Sequence, residues 1–244
     1  MILRRITEHV KNQNWFAVGV DFVIVVIGVF VGLQVQEWSI ERADRKAEYS
    51  VIERLIVEYK QNIAVLDADQ EQTRRTMEAS ATLLSMIAPQ PDPEINDDLI
   101  GPILLDCMQN AKFIPVLGTT DSLIASGDLS LIGDPEIQRM LNQWQTDAQV
   151  MIEWQEIERM HGEELILGVT YEYLAWPNVD RDVVPNARGS AMESDYQGLF
   201  SSKRFEGLLH NRVYNTGVAI ERMESLKADT RALIDRLEMR LSEL

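Results

Sequence analysis

Two polar patterns in this chain have the residue types of metal sites, and the first is "EIERMHGEE". Glu158 and His161 stand three positions apart in it, which is the spacing that directs a carboxylate and an imidazole at the metals of a di-iron helix bundle. Such a centre needs a second pair of this kind and two more glutamates, but the other candidate, His210, follows Glu206 by four positions. We therefore predict no metal site and expect Glu158 and His161 to be solvated.

The second pattern is "NVDRDVVPNARG", which begins like a calcium-binding loop. Asn178, Asp180 and Asp182 occupy alternate positions, as the first ligands of such a loop do. The loop also needs Gly at its sixth position and Glu at its twelfth, and these are Val183 and Gly189 here. The pattern therefore predicts ordinary turn chemistry rather than calcium binding.

Motifs of nucleophilic or nucleotide chemistry are missing from the sequence. We find no G-x-S-x-G, P-loop, G-x-G-x-x-G or H-E-x-x-H motif. Cys107 is the single cysteine, which excludes an intramolecular disulfide and a thiolate metal cluster, and we expect it to be a small buried thiol. The sequence predicts no catalytic residue and no cofactor, so we expect a protein that is not an enzyme.

Asp21 is the only ionisable residue between Trp15 and Leu33. An apolar run of about 18 residues or more predicts a membrane-spanning helix, in which a carboxylate must be protonated, paired or close to the interface. Its position resembles that of the Asp in proton-driven stator subunits of the flagellar-motor and Ton/Tol type, although nothing downstream resembles their periplasmic domains. We expect Asp21 to be a structural intramembrane carboxylate that snorkels or pairs with a partner, with proton coupling as the alternative.

Asp21 lies on a predicted transmembrane anchor helix over residues 15–36. Trp15 and Trp38 lie 23 positions apart, about 34 Å at the rise of an α-helix, and we expect them to mark the two membrane interfaces. A cleavable signal peptide would have a shorter apolar region and a small-x-small cleavage site. The pattern therefore favours an uncleaved signal anchor and a single-pass protein.

Gly28 and Gly32 lie on the same face of this helix as Asp21, because steps of three and four residues return to one face. Their G-x-x-x-G spacing lets two helix backbones approach closely in a membrane. We predict helix association through Gly28 and Gly32, although glycines are also common in membrane helices for other reasons. The expected partners of the anchor are membrane lipid and, on this face, a second copy of the chain or another membrane protein.

Charge distribution predicts orientation and excludes one class of partner. Three basic residues stand on each side of the anchor: Arg4, Arg5 and Lys11 before it, and Arg42, Arg45 and Lys46 after it. The N-terminal flank is short and net positive, whereas the other flank is mixed with acidic residues, so we predict a cytoplasmic segment 1–14 and a periplasmic domain at a bacterial inner membrane. Residues 37–244 carry 20 basic and 37 acidic side chains, a field that excludes nucleic acid as a partner.

The remaining residues, 37–244, predict an antiparallel helical bundle, so the fold class is all-α. A long amphipathic helix continues from the anchor to "APQPDPE", where three prolines end it. Thr119 or Thr120 can cap a short helix that ends at Gly127, and Asp134 and Pro135 begin the next long helix. We expect that helix to persist to about Tyr173, followed by a polar loop and a C-terminal helix.

The segments "VVIGVFVGLQVQEW", "ERADRK" and "SLIASGDLSLIGDPEIQRMLNQW" carry a resemblance to a known family. The chain resembles short bacterial single-pass membrane proteins, found in Bacteroidota and Proteobacteria, whose shared region is a domain of unknown function. The family's pattern of an acidic residue, a Gly and a Leu-Gln before a Trp corresponds here to Asp21, Gly28, Leu33, Gln34 and Trp38. This chain has Asp where Glu is more usual and Gly32 where Ala is common. The resemblance implies a single-pass topology and no known activity.

The sequence thus predicts an inner-membrane protein whose acidic helical domain acts in protein–protein or ligand interaction. We expect its contact surface to be the loop region 175–197 together with the Gly127 turn. The alternative is an auxiliary subunit of a larger membrane complex, in which Asp21 pairs with a polar or basic group of a partner helix.

Overall fold

The protein is described by a computed structural model over residues 15–87, 95–181, 183–184 and 188–244, with side chains from residue 22 onward. Every regular element in these ranges is helical, which confirms the predicted all-α fold class. The α-helices are α1 (Trp15–Ser85), α2 (Asp97–Met108), α3 (Gly118–Ser126), α4 (Pro135–Arg159), α5 (Leu167–Thr170), α6 (Trp176–Val179), α7 (Tyr196–Phe200) and α8 (Lys203–Glu243). A 3₁₀ turn spans Asp128–Leu131, and a π-helical segment, Met160–Ile166, joins α4 to α5.

Two compact units divide the chain: residues 1–50 with Leu244, and Val51–Glu243. In the first unit, the large apolar side chains between Phe22 and Val35 are 49–69% exposed. An 18-residue window of α1 has a mean hydropathy of 1.8, and none of it is buried. Within the described ranges, α1 is the one helix long and apolar enough to span a membrane.

The second unit is an antiparallel bundle of the long helices. Lys60 and Lys227 pair with Glu238 and Asp67 across α1 and α8, at 2.7 and 3.1 Å. Residue numbers rise along α1 as they fall along α8, so the two helices run in opposite directions. The Trp144 indole N–H donates to Thr230 Oγ1 (2.7 Å), which places α4 against α8.

The ends of α4 and α3 are set by local residues, as predicted. Asp134 accepts a hydrogen bond from the Glu136 backbone N–H (2.9 Å), and Pro135 opens the helix. Gly127 ends α3 with a φ of +77°, a left-handed conformation that glycine adopts without steric cost. These three residues behave as the sequence predicted because cap and turn preferences are local properties.

The start of α3 differs from its prediction. Neither Thr119 nor Thr120 caps the helix through its own side chain; the acceptor is the buried carboxylate of Glu58, which reaches over from α1. Glu58 Oε2 accepts from Thr119 N, and Oε1 accepts from Thr120 N (3.0 Å) and Thr120 Oγ1 (2.6 Å). One turn later, Asn62 bonds to both backbone groups of Val116. Two residues of α1 thus replace a local cap.

Replacing Glu58 by alanine should lower the melting temperature by about 5 °C. The change leaves buried donors at the start of α3 unpaired, which costs about 1–3 kcal/mol, and each kcal/mol corresponds to roughly 2–4 °C in a domain of this size. Far-UV circular dichroism of the full chain in detergent micelles measures the effect. Glu53→Ala, an exposed change one turn and a half earlier in α1, is the control. Equal melting temperatures for both variants would contradict the cap.

Candidate functional site

The residues predicted to act in the membrane lie on α1, and the structure leaves their face of the helix open. Apart from the nearby backbone of α1 itself and the adjacent residues, no heavy atom of the described part of the chain comes within 4 Å of the position that a Cβ would take at Gly28 or Gly32. Trp38 is 57% exposed, directly after the apolar segment. The side chains of Trp15 and Asp21 lie outside the described residues. Gly28 and Gly32 therefore present backbone that a second helix could approach.

A second polar feature lies inside the bundle, and it corrects one prediction. Glu158 and His161 are not solvated, since they are 6% and 5% exposed. Arg212 of α8, which is 1% exposed, pairs with Glu158 at 3.0 Å. We call Glu158, His161 and Arg212, together with the backbone after α2 that they contact, the Arg212 cluster.

All five N–H donors of the Arg212 guanidinium have an acceptor. Nε donates to the carbonyl of Cys107 (3.3 Å). Nη1 donates to the carbonyl of Glu158 (2.6 Å) and to its Oε2 (3.0 Å). Nη2 donates to the carbonyl of Gln109 and to Asn110 Oδ1, both at 2.8 Å. Because an arginine cannot lose its charge in a protein, this complete set of acceptors is what permits its burial.

The backbone on either side of the guanidinium is adapted to it. Glu158 precedes the π-helical segment, in which hydrogen bonds run from one residue to the fifth along the chain instead of the fourth. A Cβ at Gly162 would stand 3.1 Å from Arg212 Nη2 and from the Met108 carbonyl. Glycine is therefore the residue that allows the guanidinium to lie against this turn. Such π-helical turns occur frequently at functional sites.

A cavity of about 10 Å³ adjoins the cluster, lined among others by Thr73, Thr76, Gln155, Glu158 and Arg212. This volume holds one water molecule. Gln155 Nε2 and Glu158 Oε1 are buried without a hydrogen-bond partner in the protein. Two unpaired polar groups next to a cavity of this size favour a single bound water and leave no room for an organic substrate.

The cluster also changes the proton affinity of its members. Burial raises the pKa of Glu158 to about 7, against the opposing attraction of the Arg212 charge. Burial, with repulsion from Arg212, lowers the pKa of His161. Asn211 Nδ2 donates to His161 Nε2 (2.9 Å), and His161 Nδ1 has no partner. The arrangement can therefore hold a proton on Glu158 near neutral pH beside a neutral imidazole.

The two sequence patterns with the residue types of metal sites can be compared with the structure in the described ranges. Over the described ranges, no group of three or more His, Cys, Asp or Glu side chains is placed to hold a metal ion. In the second predicted pattern, Asn178 uses its amide within the loop: Oδ1 accepts from Ser190 N (2.7 Å), and Nδ2 donates to the Met192 carbonyl (3.4 Å). Asp182 lies outside the described residues.

The structure confirms the prediction for Cys107 and changes the one for the loop region 175–197. Cys107 is fully buried, as predicted, and burial raises the pKa of its thiol. The loop region 175–197 is not a continuous loop, because α6 (Trp176–Val179) and the start of α7 (Tyr196–Phe200) lie within it. Tyr196 and Ser194 both donate to Asp97 Oδ1 and fasten the end of this region to the start of α2.

Sequence reasoning missed Arg212 entirely. The signal that was available is that Arg212 falls one turn after Leu209 in the apolar stripe of α8, where a charged residue interrupts the pattern. The partners of Arg212 come from positions about 50 and 100 residues away in the chain. No local pattern could have supplied them.

Comparison with known protein families, with characterised proteins and with solved structures finds no match to this chain. A functional assignment therefore rests on the geometry of α1 and of the Arg212 cluster.

Glu158→Gln should remove a pH dependence of stability that the wild type has. A carboxyl with a raised pKa in the folded state stabilises the fold fully below its unfolded pKa of about 4.5 and loses that contribution as the pH rises to about 7. At about 1.4 kcal/mol per unit, the free energy of unfolding of the wild type, relative to Glu158→Gln, should fall by about 3 kcal/mol between those pH values. Denaturant unfolding at several pH values, followed by tryptophan fluorescence, measures this difference.

Glu221→Gln is the matched control, since Glu221 is exposed on the same helix as Arg212. Its free energy of unfolding should follow the wild type across the whole pH range. Parallel curves for the wild type and Glu158→Gln would show that Glu158 does not bind a proton in this window.

Proposed function

We propose that this chain is a single-pass protein of a bacterial inner membrane whose helical domain lies in the periplasm and acts by binding another protein. The observation that carries the proposal is the uncovered apolar segment of α1, in which every large apolar side chain from Phe22 to Val35 is about half exposed or more. A soluble monomer rarely exposes a contiguous apolar surface of this extent to water. A bilayer core, about 30 Å thick, accommodates it.

The positions of the aromatic and charged residues support the same assignment. Trp38 follows the apolar segment immediately and is exposed, as expected of a residue at a membrane interface. Charged residues resume from Glu37 onward and continue through the rest of α1. The order of residues along α1 is therefore that of a membrane anchor followed by a charged segment that leads into an aqueous domain.

A binding role for the domain is supported by what the second unit exposes and by what it lacks. Its described cavity at the Arg212 cluster has room for one water, so no substrate pocket is available there. Large apolar side chains are exposed around the predicted contact surface: Tyr171 (63%), Val183 (63%) and Met192 (77%). These exposed apolar side chains are available to a protein partner.

Cysteine labelling tests the topology. Met192→Cys, in a Cys107→Ala background, should react with a membrane-impermeant maleimide in intact spheroplasts, because residue 192 is exposed on a periplasmic domain. Lys11→Cys should react only after lysis. The reverse pattern would place the domain in the cytoplasm. Release of the chain from membranes by alkaline carbonate would overturn the membrane anchor itself.

The alternative, a subunit of a larger membrane complex, is favoured by the open glycine face of α1. Gly28 and Gly32 meet no neighbouring atom, and Asp21 falls on the same face by helical spacing. A partner helix on this face would approach the backbone closely and could pair with Asp21. The same face can serve a homo-oligomer, so the two arrangements differ in the identity of the second helix.

Gly28→Leu/Gly32→Leu should convert an assembled wild type into a monomer, because two leucine side chains keep the helix backbones apart. Native mass spectrometry after extraction in mild detergent gives the mass and the partners of each complex. Val26→Leu/Phe30→Leu, with the same spacing on the opposite face of α1, is the matched control and should leave the mass unchanged. Identical masses for the wild type and both variants would exclude association through the glycines.

A further inference from the structure

We propose that a groove formed by Trp38, Arg42, Arg45, Lys46 and Tyr49 binds the phosphate headgroup of an anionic phospholipid. This inference rests on the proposed membrane anchoring of α1. It assigns to the anchor a binding site for an anionic lipid headgroup in addition to its apolar contact with the bilayer. Its test is arranged so that loss of the anchor and loss of the lipid site give different results.

The groove is a concave surface of the first unit. It has a volume of about 490 Å³, and its lining is completed by Leu244. Trp38, Arg42, Arg45 and Tyr49 follow one another at steps of four, three and four residues. Such steps keep them on one face of α1, so two aromatic rings and two guanidinium groups line the groove together.

The cations in the groove are available for an external anion. The Arg42 guanidinium lies over the Trp38 ring, with Cζ 5.6 Å from the ring centre, at the distance of a cation–π contact. In the described part of the chain, neither Arg42 nor Lys46 forms an ion pair with a carboxylate. Arg45 has a long ion pair with the Glu41 carboxylate, at 4.0 Å, and its Nε donates to the Glu41 backbone carbonyl at 3.4 Å; both contacts are exposed. Exposed pairs of this kind contribute little, so Arg45 can also turn to a phosphate.

Acidic residues of the same segment do not line the groove. Glu37, Glu41 and Asp44 each stand one position before Trp38, Arg42 and Arg45. One position is a rotation of about 100° around an α-helix. The acidic and basic residues therefore form neighbouring stripes on α1, which meet at Arg45 and Glu41, and the basic stripe lines the groove.

The groove begins next to the headgroup layer. Arg42 is seven residues beyond Val35, about 10 Å along the helix axis, and the headgroup layer extends about 5–8 Å beyond the hydrocarbon core. Side chains of an α-helix lean toward its N-terminus, so the long Arg42 side chain reaches back to the phosphates while Trp38 lies at the interface. Lys46, about 16 Å beyond Val35, acts on the phosphates as a charge within about one Debye length of them.

Guanidinium groups recognise phosphate oxygens through paired N–H donors, and lysine contributes a point charge. Each basic residue near an anionic membrane surface strengthens binding about fivefold. Arg42 and Lys46 together should therefore contribute about 25-fold to the affinity for an anionic lipid and nothing comparable for a zwitterionic one.

The test is a titration of the full chain in detergent micelles with phosphatidylglycerol or phosphatidylcholine, with bound lipid counted by native mass spectrometry. The wild type should bind phosphatidylglycerol more tightly. Arg42→Gln/Lys46→Gln should weaken phosphatidylglycerol binding about 25-fold and leave phosphatidylcholine binding unchanged. Arg74→Gln/Arg75→Gln, which removes two exposed arginines farther along α1, is the control and should bind both lipids as the wild type does.

Each other outcome overturns the proposal. Equal binding of the two lipids, or unchanged binding by Arg42→Gln/Lys46→Gln, excludes the headgroup site while carbonate-resistant insertion leaves the anchor standing. Equally tight binding of soluble glycerol phosphate assigns the groove to a free phosphate. A loss of oligomer mass in Arg42→Gln/Lys46→Gln, without a change in lipid binding, assigns the basic stripe to a protein interface.

Discussion

The buried guanidinium of Arg212 is the interaction on which the rest of the bundle depends. A charge inside a helical domain is tolerated only if each of its donors is paired, and here the acceptors come from separate places in the chain. Three acceptors, on Cys107, Gln109 and Asn110, lie at the end of α2 and directly after it. The others, on Glu158, lie at the end of α4. The position of each of these segments is therefore constrained by one side chain of α8.

This requirement explains why the apolar stripes of the long helices are interrupted at one level. Along α8 the buried residues pass from Leu209 to Arg212 and Thr216 before Met223 restores a large apolar contact. Along α1, Thr73 and Thr76 are buried in the corresponding stretch. An apolar core tolerates small shifts between its helices, but five hydrogen bonds to one guanidinium are satisfied in a single register. The guanidinium thus selects one alignment of α8 against α4 and the end of α2 from the several that leucine and isoleucine packing would allow.

The features that could be predicted from sequence are those set by neighbouring residues. Asp134, Pro135 and Gly127 mark helix ends through their own backbone preferences, and the structure confirms all three. The apolar segment of α1 and the all-α fold class follow from periodicity alone. The features that sequence reasoning missed depend on pairs of residues far apart in the chain. The cap of α3 comes from Glu58, about 60 residues earlier, so a local search assigned it to Thr119 or Thr120.

The same limit applies to the pair of Glu158 and His161. The spacing of the two residues was recognised, but they were predicted to be solvated, because a charged residue with no visible partner is normally at the surface. Glu158 pairs with Arg212 and His161 bonds to Asn211, both about 50 residues away in the chain. The π-helical segment beside this pair determines how the helix would respond to the deletion of a residue. A π turn is an α-helix that has accommodated one extra residue, so deleting any one residue of Met160–Ile166 would let the ladder of backbone hydrogen bonds close again in α form. The helix would survive, and buried side chains beyond the deletion, such as Val169, would keep their direction toward the core, because the extra residue is absorbed within the π turn itself. The deletion would instead remove the wide turn in which Gly162 lies against the Arg212 guanidinium. At this place the extra residue therefore serves the burial of a charge rather than the continuity of the helix.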